Sequence, residues 1–423
     1  MPAIRPPAAP TRARLLPALA LAAVPILAAA AEPAAPAGVP VARIEVTGNT
    51  RTRTDVIVRA LRLEAGDVVS VEALPELRRR VLNLRLFSAA TVELRPAEDG
   101  AVLEVAVEER WTLLPFPFFS SSGGRWQAGL FAVESNLLGW NKTLVAGGMV
   151  SNRGGSAFGL YRDPAIRGSR WTSALSLSWS DTDRERVRRD VVVDSYTDQR
   201  FEASAVVGRR LTPELEVSAG GFSVINRPEP REGFALAPPR GEVHGVQLAV
   251  EYEGQDYRDW FDEGLAARLR VQEGLEPLGS TRTFRRVSLA AEYTRALPLA
   301  HTFTVRASGD LVEGDPVLDA LQLGARPGSR GFTQNGLWAE EAATLGAEYQ
   351  VPIWRPRWGT LTANLFVDLG VARWLGHGTD WAAPGLGLRV YLRNVAIPAL
   401  GVDVTRAPDT GELVTSVAAG FSL

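Results

Sequence analysis

One arginine and two acids are the residues best placed to do chemistry in this chain. Arg330 sits in Gly328-Ser329-Arg330-Gly331-Phe332, within a long connection between the eleventh and twelfth candidate strands. Downstream run LGAEYQVPIW, with Gly346 and Glu348, and LFVDLG, with Phe366, Asp368 and Gly370. Glu348 alternates with Leu345/Ala347 and Asp368 with Val367/Leu369, so both acids are expected on the polar face. A planar guanidinium beside carboxylates makes a bidentate ion pair. That is clamping chemistry, with no bond made or broken. Gly328 and Gly331 are expected to supply sharp turns that fold the loop inward. The plainer alternative is a salt bridge that only stabilises. Removing one member of a buried pair costs about 3–5 kcal/mol, so normal folding with lost function is what separates the two.

Little else suggests reactivity. Gly154-Gly155-Ser156-Ala157-Phe158 is not a Gly-x-Ser-x-Gly elbow, and no Ser/His/Asp set is suggested by spacing. Asp181-Thr182-Asp183-Arg184-Glu185-Arg186 reads as a solvated loop tip. There is no cysteine and there are three scattered histidines (His244, His301, His377), which excludes disulfides and disfavours a metal centre. No catalytic residue, metal or cofactor is expected, and the chain does not read as an enzyme. A net charge of −2 and a pI near 6.1 argue against a nucleic-acid partner, which needs a basic face.

The elements that must position the clamp show a period of two. Residues 126–423 read as about sixteen short alternating segments with no continuous oily run. Trp171, Leu175, Leu177 and Trp179 oppose Thr172, Ser176, Ser178 and Ser180; Val246, Leu248, Val250 and Tyr252 oppose Gln247, Glu251 and Glu253. Leu361, Ala363, Leu365, Val367 and Leu369 oppose Thr362, Asn364, Phe366, Asp368 and Gly370. In a bilayer every backbone N–H and C=O must be paired within the protein, so such strands must close into a barrel. A soluble β-sandwich also alternates, but this many strands without a long apolar core strand would be odd in one. Closure is expected to pair a first strand near Trp126–Val133 with a last one near Glu412–Leu423. Trp171, Trp179, Trp260, Trp338 and Trp354 fit an interfacial girdle.

The chain divides into four expected parts. Residues 1–31 read as a signal peptide: Arg5, Arg12 and Arg14, an apolar Leu15–Ala30, then small residues before Glu32. The apolar run is shorter than the ~20 residues of a spanning helix; an uncleaved anchor is the competing reading. Residues 32–40 look like a Pro/Ala-rich linker. Residues 41–112 have another texture: a strand at Val41–Thr47, a helix capped by Thr54, a second helix capped by Ser70 with the stripe Leu74, Leu77, Val81 and Leu84, then a hairpin across Asp99-Gly100. Residues 113–423 form the barrel.

VARIEVTGNTRTRTDVIVRALRLEAGD, LRRRVLNLRLFSAATVEL and VLEVAVEER together resemble a polypeptide-transport-associated (POTRA) domain. Behind it, the Arg-Gly-Phe triplet, the Gly-x-Glu strand and the Phe-x-Asp-x-Gly strand resemble the BamA/TamA-type outer-membrane assembly (surface-antigen) family. LFAVESNLLGWNKTL and GLGLRVYL also look like family segments. The resemblance implies an all-β transmembrane barrel of about sixteen antiparallel strands behind a single α/β POTRA domain. It implies a bacterial outer-membrane location with the POTRA domain in the periplasm. It further implies that Arg330, Gly331, Phe332, Glu348, Phe366, Asp368 and Gly370 form a working loop-and-wall site. The function expected is insertion or translocation of client polypeptides by strand templating at a lateral seam. The alternatives are a polypeptide secretion pore or a passive solute channel. The partners implied are unfolded outer-membrane or secreted polypeptides, outer-membrane lipid and periplasmic factors. The ending Phe421-Ser422-Leu423 departs from the usual aromatic terminus of such barrels.

Overall fold

The computed structural model describes residues 38–122, 124–188, 191–231, 237–258, 260–333, 336–392 and 398–419. The expected signal peptide and most of the expected linker lie outside these residues. Val39 and Pro40 are not linker: they open the first strand, where they pair with Val69 and Val68.

The small domain runs β1 (Val39–Thr47), α1 (Thr54–Leu61), β2 (Val68–Val69), α2 (Leu74–Leu82), β3 (Phe87–Ala97) and β4 (Gly100–Glu109). Its sheet order is β2-β1-β4-β3, with β1 parallel to β4. Both helices lay one oily stripe on the sheet. Ile57 and Leu61 of α1 and Leu77 and Val81 of α2 are buried against Val41, Phe87 and Leu103, with Leu74 and Leu84 at the margin. The caps differ from expectation. Arg53 holds the cap position and Thr54 is already helical; its hydroxyl accepts from Asn49 Nδ2 at 3.1 Å. Ser70 precedes a 3-10 turn, Val71–Ala73, that leads into α2, and makes no side-chain cap bond.

Sixteen antiparallel strands then close into a barrel. They are β5 (Leu113–Ser122), β6 (Arg125–Leu137), β7 (Lys142–Ser151), β8 (Gly154–Asp163), β9 (Trp171–Arg188), β10 (Val191–Arg210), β11 (Leu215–Pro230), β12 (Gly241–Tyr257), β13 (Asp262–Gly274), β14 (Arg285–Ala296), β15 (Thr302–Glu313), β18 (Glu341–Trp354), β19 (Gly359–Trp374), β20 (His377–Leu392), β21 (Pro398–Arg406) and β22 (Leu413–Ala419). The connection between β15 and β18 carries two further short strands, β16 (Leu321–Leu323) and β17 (Leu337–Ala339), paired with each other. No helix among the described residues is long and apolar enough to cross a membrane.

The alternation resolves as expected into an oily outer face and a polar inner one. Leu248 and Leu365 are 57% and 58% exposed, whereas Asn364 and Asp368 on β19 are 3% and 0%. Several expectations are corrected. The first barrel strand is β5, not Trp126–Val133, which belongs to the second. The segments are not all short: β9 and β10 have 18 and 20 residues. Asp181–Arg186 is no loop tip but part of β9, in register with Asp194–Gln199 of β10. Trp171, Trp179 and Trp354 do face outward, but Trp260 and Trp338 are buried. Trp338 lies inside the barrel against Tyr196 and Trp374, and Trp260 packs on Tyr391.

Candidate functional site

Residues 314–333 and 336–340 follow the end of β15 and fold into the barrel. Apolar contacts hold much of this loop. Leu321, Phe332 and Ala339 join Phe222, Val243, Phe284, Trp381 and Ala383 of the inner wall in one buried cluster. Loop residue Asp319 adds a polar anchor, accepting from Arg282 Nε at 3.0 Å and Nη2 at 2.7 Å.

Arg330 stands at the loop's innermost turn and is 2% exposed, against 3% for Glu348 and 0% for Asp368. Asp368 takes three bonds from this one residue: the Arg330 backbone N–H at 3.0 Å and Nε at 2.9 Å on Oδ2, and Nη2 at 2.7 Å on Oδ1. Nη1 donates to Glu348 Oε2 at 2.9 Å. The guanidinium also lies over the Phe366 ring, 3.4 Å from its centroid. It is thus gripped edge-on by acids and supported from below by an aromatic face. β18 and β19 deliver these groups because Glu348 and Phe366 are in direct register and both point inward.

The glycines work differently from one another. Gly328 has φ +90° and makes a genuine left-handed turn. Gly331 does not; a Cβ there would come within 2.8 Å of Ala383 Cβ and 2.9 Å of Pro408 Cδ. Its role is close packing, which corrects the expected turn. Gly370 likewise leaves room for the indole of Trp381, which a Cβ would meet at 2.1 Å. Trp381 Nε1 in turn donates to the Gly328 carbonyl at 2.9 Å and packs edge-on against Phe332 at 5.2 Å. All seven expected residues therefore meet at one place.

Four participants escaped the sequence reading. Arg389 of β20 makes a bidentate pair with Asp403 of β21 at 2.8 and 3.1 Å and donates to Asn364 at 3.1 Å. Asp403 lies 3.6 Å from Arg330, and Arg389 3.7 Å from Glu348. Arg306 of β15 reaches Glu348 at 3.5 Å, and Trp381 completes the set. The signal was present: Arg389 alternates with Leu386 and Leu388, and Asp403 with Val402 and Val404. Arg306 also donates to Glu292 at 2.6 Å, so three arginines face four carboxylates, and withdrawing Arg330 would leave the wall still shorter of positive charge. Among the described residues no His/Cys/Asp/Glu group could hold a metal ion.

Residues 39–110 match the POTRA family model, described as a surface antigen variable number repeat. A 109-residue stretch is 35% identical to the outer membrane protein assembly factor BamA of Neorickettsia risticii (strain Illinois), covering 24% of this chain and 14% of that protein. The whole fold is similar to solved barrels. BamA of Haemophilus ducreyi lacking POTRA domains 1–3 aligns with a TM-score of 0.56 and 14% identity, over 90% of this chain and 84% of that one. CdiB of Acinetobacter baumannii gives 0.61 and 16%, over 90% and 73%. The chain thus joins one POTRA-family domain to a barrel with the fold of these proteins, and it spans about a seventh of the length of the curated relative it matches. CdiB of Escherichia coli gives 0.58 and 13%, over 92% of each chain. With a POTRA domain ahead of a closed barrel, the chain lies in the bacterial outer membrane, the POTRA domain on the periplasmic side. The turns after β6, β8, β10 and β12, which face that domain, are then the periplasmic rim, and the inward loop enters from the outer side.

Proposed function

We propose that this barrel assists outer-membrane protein assembly by opening between β5 and β22 and offering the exposed edges as templates for a client's strands. The observation that carries this reading is the edge that β5 turns toward this junction, which is short of donors. Among the described residues Val417 pairs with Ser121 and Ala418 with Ser120. Ser135 N–H bonds the Thr112 carbonyl at 3.2 Å, so even-numbered positions of β5 face β6 and odd-numbered ones face the seam. Pro115 and Pro117 fall on the seam side, where neither has an N–H to give.

The clamped loop supports the same reading. Arg330, Phe332, Glu348, Phe366, Asp368 and their glycines hold the loop in the lumen while tying it, through Arg389 and Asp403, to β21 beside the seam. Secretion of a polypeptide through the lumen would require this loop to leave, exposing buried charges; passage at the seam does not. The clients would be unfolded outer-membrane polypeptides, met with surrounding lipid and periplasmic factors.

The register supplies the test. Ser120 and Ala418 form a pair whose backbone groups point away from each other, the closer kind, with Cα atoms about 4.5 Å apart, within disulfide range. The chain has no other cysteine. Ser120→Cys/Ala418→Cys should lose client insertion when oxidised and regain it on reduction. Undiminished insertion by the oxidised form would refute a seam that opens. Depletion followed by a census of outer-membrane proteins separates general assembly, which predicts a broad loss of barrels, from secretion of a single client.

A further inference from the structure

Between the small domain and the periplasmic rim lies a cavity of about 280 Å³. α1 and α2 form one side; the turns after β6 and β8 and the end of β10 form the other. Arg59, Arg62, Arg80 and Arg210 line it, with the amides of Asn83 and Asn141, and no aspartate or glutamate does. Compensation from outside is uneven. Arg80 is satisfied, by Glu76 at 3.1 Å and the Leu61 carbonyl at 2.8 Å. Arg62 and Arg210 have acids only at 3.7 Å, Glu214 and Glu216. Arg59 rests against Gly168 and has no carboxylate partner among the described residues. Burial, opposed by Glu214 and reinforced by the neighbouring Arg80, holds the Arg62 guanidinium below its ordinary pKa. The pocket is therefore short of negative charge.

We infer that this pocket binds a phosphoryl group. Guanidinium forks match tetrahedral oxyanions, and several converging ones are the usual way to hold a phosphate. Two sources fit the position, the headgroup of a periplasmic-leaflet phospholipid and free phosphate. The rim bears on the first. Leu138 and Leu211, at the tips of adjoining turns, are 78% and 51% exposed, an apolar edge at the depth where headgroups lie. The site is separate from the seam, and neither proposal depends on the other.

The test is native mass spectrometry of the full chain released from detergent, with palmitoyl-oleoyl phosphatidylglycerol or inorganic phosphate added. One phosphoryl ligand should be retained. Arg59→Gln/Arg62→Gln should weaken retention about tenfold, the equivalent of one charge-assisted hydrogen bond. Arg355→Gln/Arg357→Gln, which removes the same charge from the rim turn between β18 and β19, should change it less than about twofold. Arg59→Lys/Arg62→Lys keeps the charge and should retain most binding, while unchanged heat-modifiable mobility checks folding. Lipid held against excess phosphate supports the pocket with a headgroup in it; phosphate held alone supports it with the free ion. Equal losses in both glutamine pairs, or none in the first, would overturn the site in favour of diffuse rim charge.

Discussion

Arg330 makes four hydrogen bonds to two acids and one aromatic contact, so its shape matters as much as its charge. Arg330→Lys keeps the cation but cannot fork across both Asp368 oxygens while reaching Glu348. The expected result is a barrel with near-normal heat-modifiable mobility and reduced client assembly. Full assembly activity in that variant would reduce the clamp to simple charge balance. Asp368→Ala is harsher: it strands a buried guanidinium and should cost about 3–5 kcal/mol, read as an earlier urea midpoint. The Arg389–Asp403 pair should couple to this clamp through Glu348 and Arg330. A double-mutant cycle of Arg389→Gln with Arg330→Lys should give an interaction energy of about 0.5–3 kcal/mol; strict additivity would isolate the two pairs. The clamp's core was legible because parity alone sends Glu348 and Asp368 inward. Arg389 and Asp403 obeyed the same parity, but nothing local distinguishes a lumenal arginine that pairs from one that is merely wet. Trp338 misled for a different reason: it sits in a folded-in loop, where strand alternation and girdle position have no meaning.

At the scale of elements, the informative strand is the one that alternation did not reveal. LLPFPFFSSS has two prolines and reads as a poor strand. It forms one because both prolines fall on the edge that faces the seam, while its other edge pairs with β6 along ten positions. Register, not propensity, decides the matter, and register is invisible until the sheet is assembled. Pro115→Ala/Pro117→Ala would return two donors to the seam. At about 0.5–1.5 kcal/mol for each bond made, the closed barrel should gain stability and client insertion should slow, measured as assembly rate in proteoliposomes. A faster rate in this variant would mean that the prolines hinder the active state and do not serve it. β9 and β10 went the other way: their charged ends looked like loop tips, yet eighteen rungs of pairing carry them past the oily belt.

The whole molecule is held as a small domain docked on a barrel mouth, by contacts between residues far apart in the chain that no local pattern announces. Asn136 Nδ2 donates to Thr52 Oγ1 at 2.9 Å, and Arg53 N–H to the Gly139 carbonyl at 3.0 Å. On the other flank Asn83 brackets Asp256 and Tyr257, at 3.0 and 3.1 Å, and Arg85 pairs with Asp262 at 2.7 Å. The first of these contacts depends on the shape of residues 50–53, which one acid sets. Glu109 accepts the Thr52 N–H at 2.6 Å, the Arg51 N–H at 3.0 Å and the Thr50 hydroxyl at 2.8 Å. Burial alone would raise its pKa, but the bonds from Thr52, Thr50 and Arg51 outweigh that and hold the carboxyl below its usual range. A depressed carboxyl contributes its stability in full above the unfolded value, about 4.3. That contribution is lost as pH falls through the lower folded value. Hydrogen exchange at Arg51 and Thr52, corrected for intrinsic rate, should therefore be protected at neutral pH and lose protection only on acidification below the unfolded value. Glu109→Gln should start less protected at neutral pH and show no acid step in this loop. An identical acid step in the variant would move the cause to another group and detach Glu109 from the docking of the two domains.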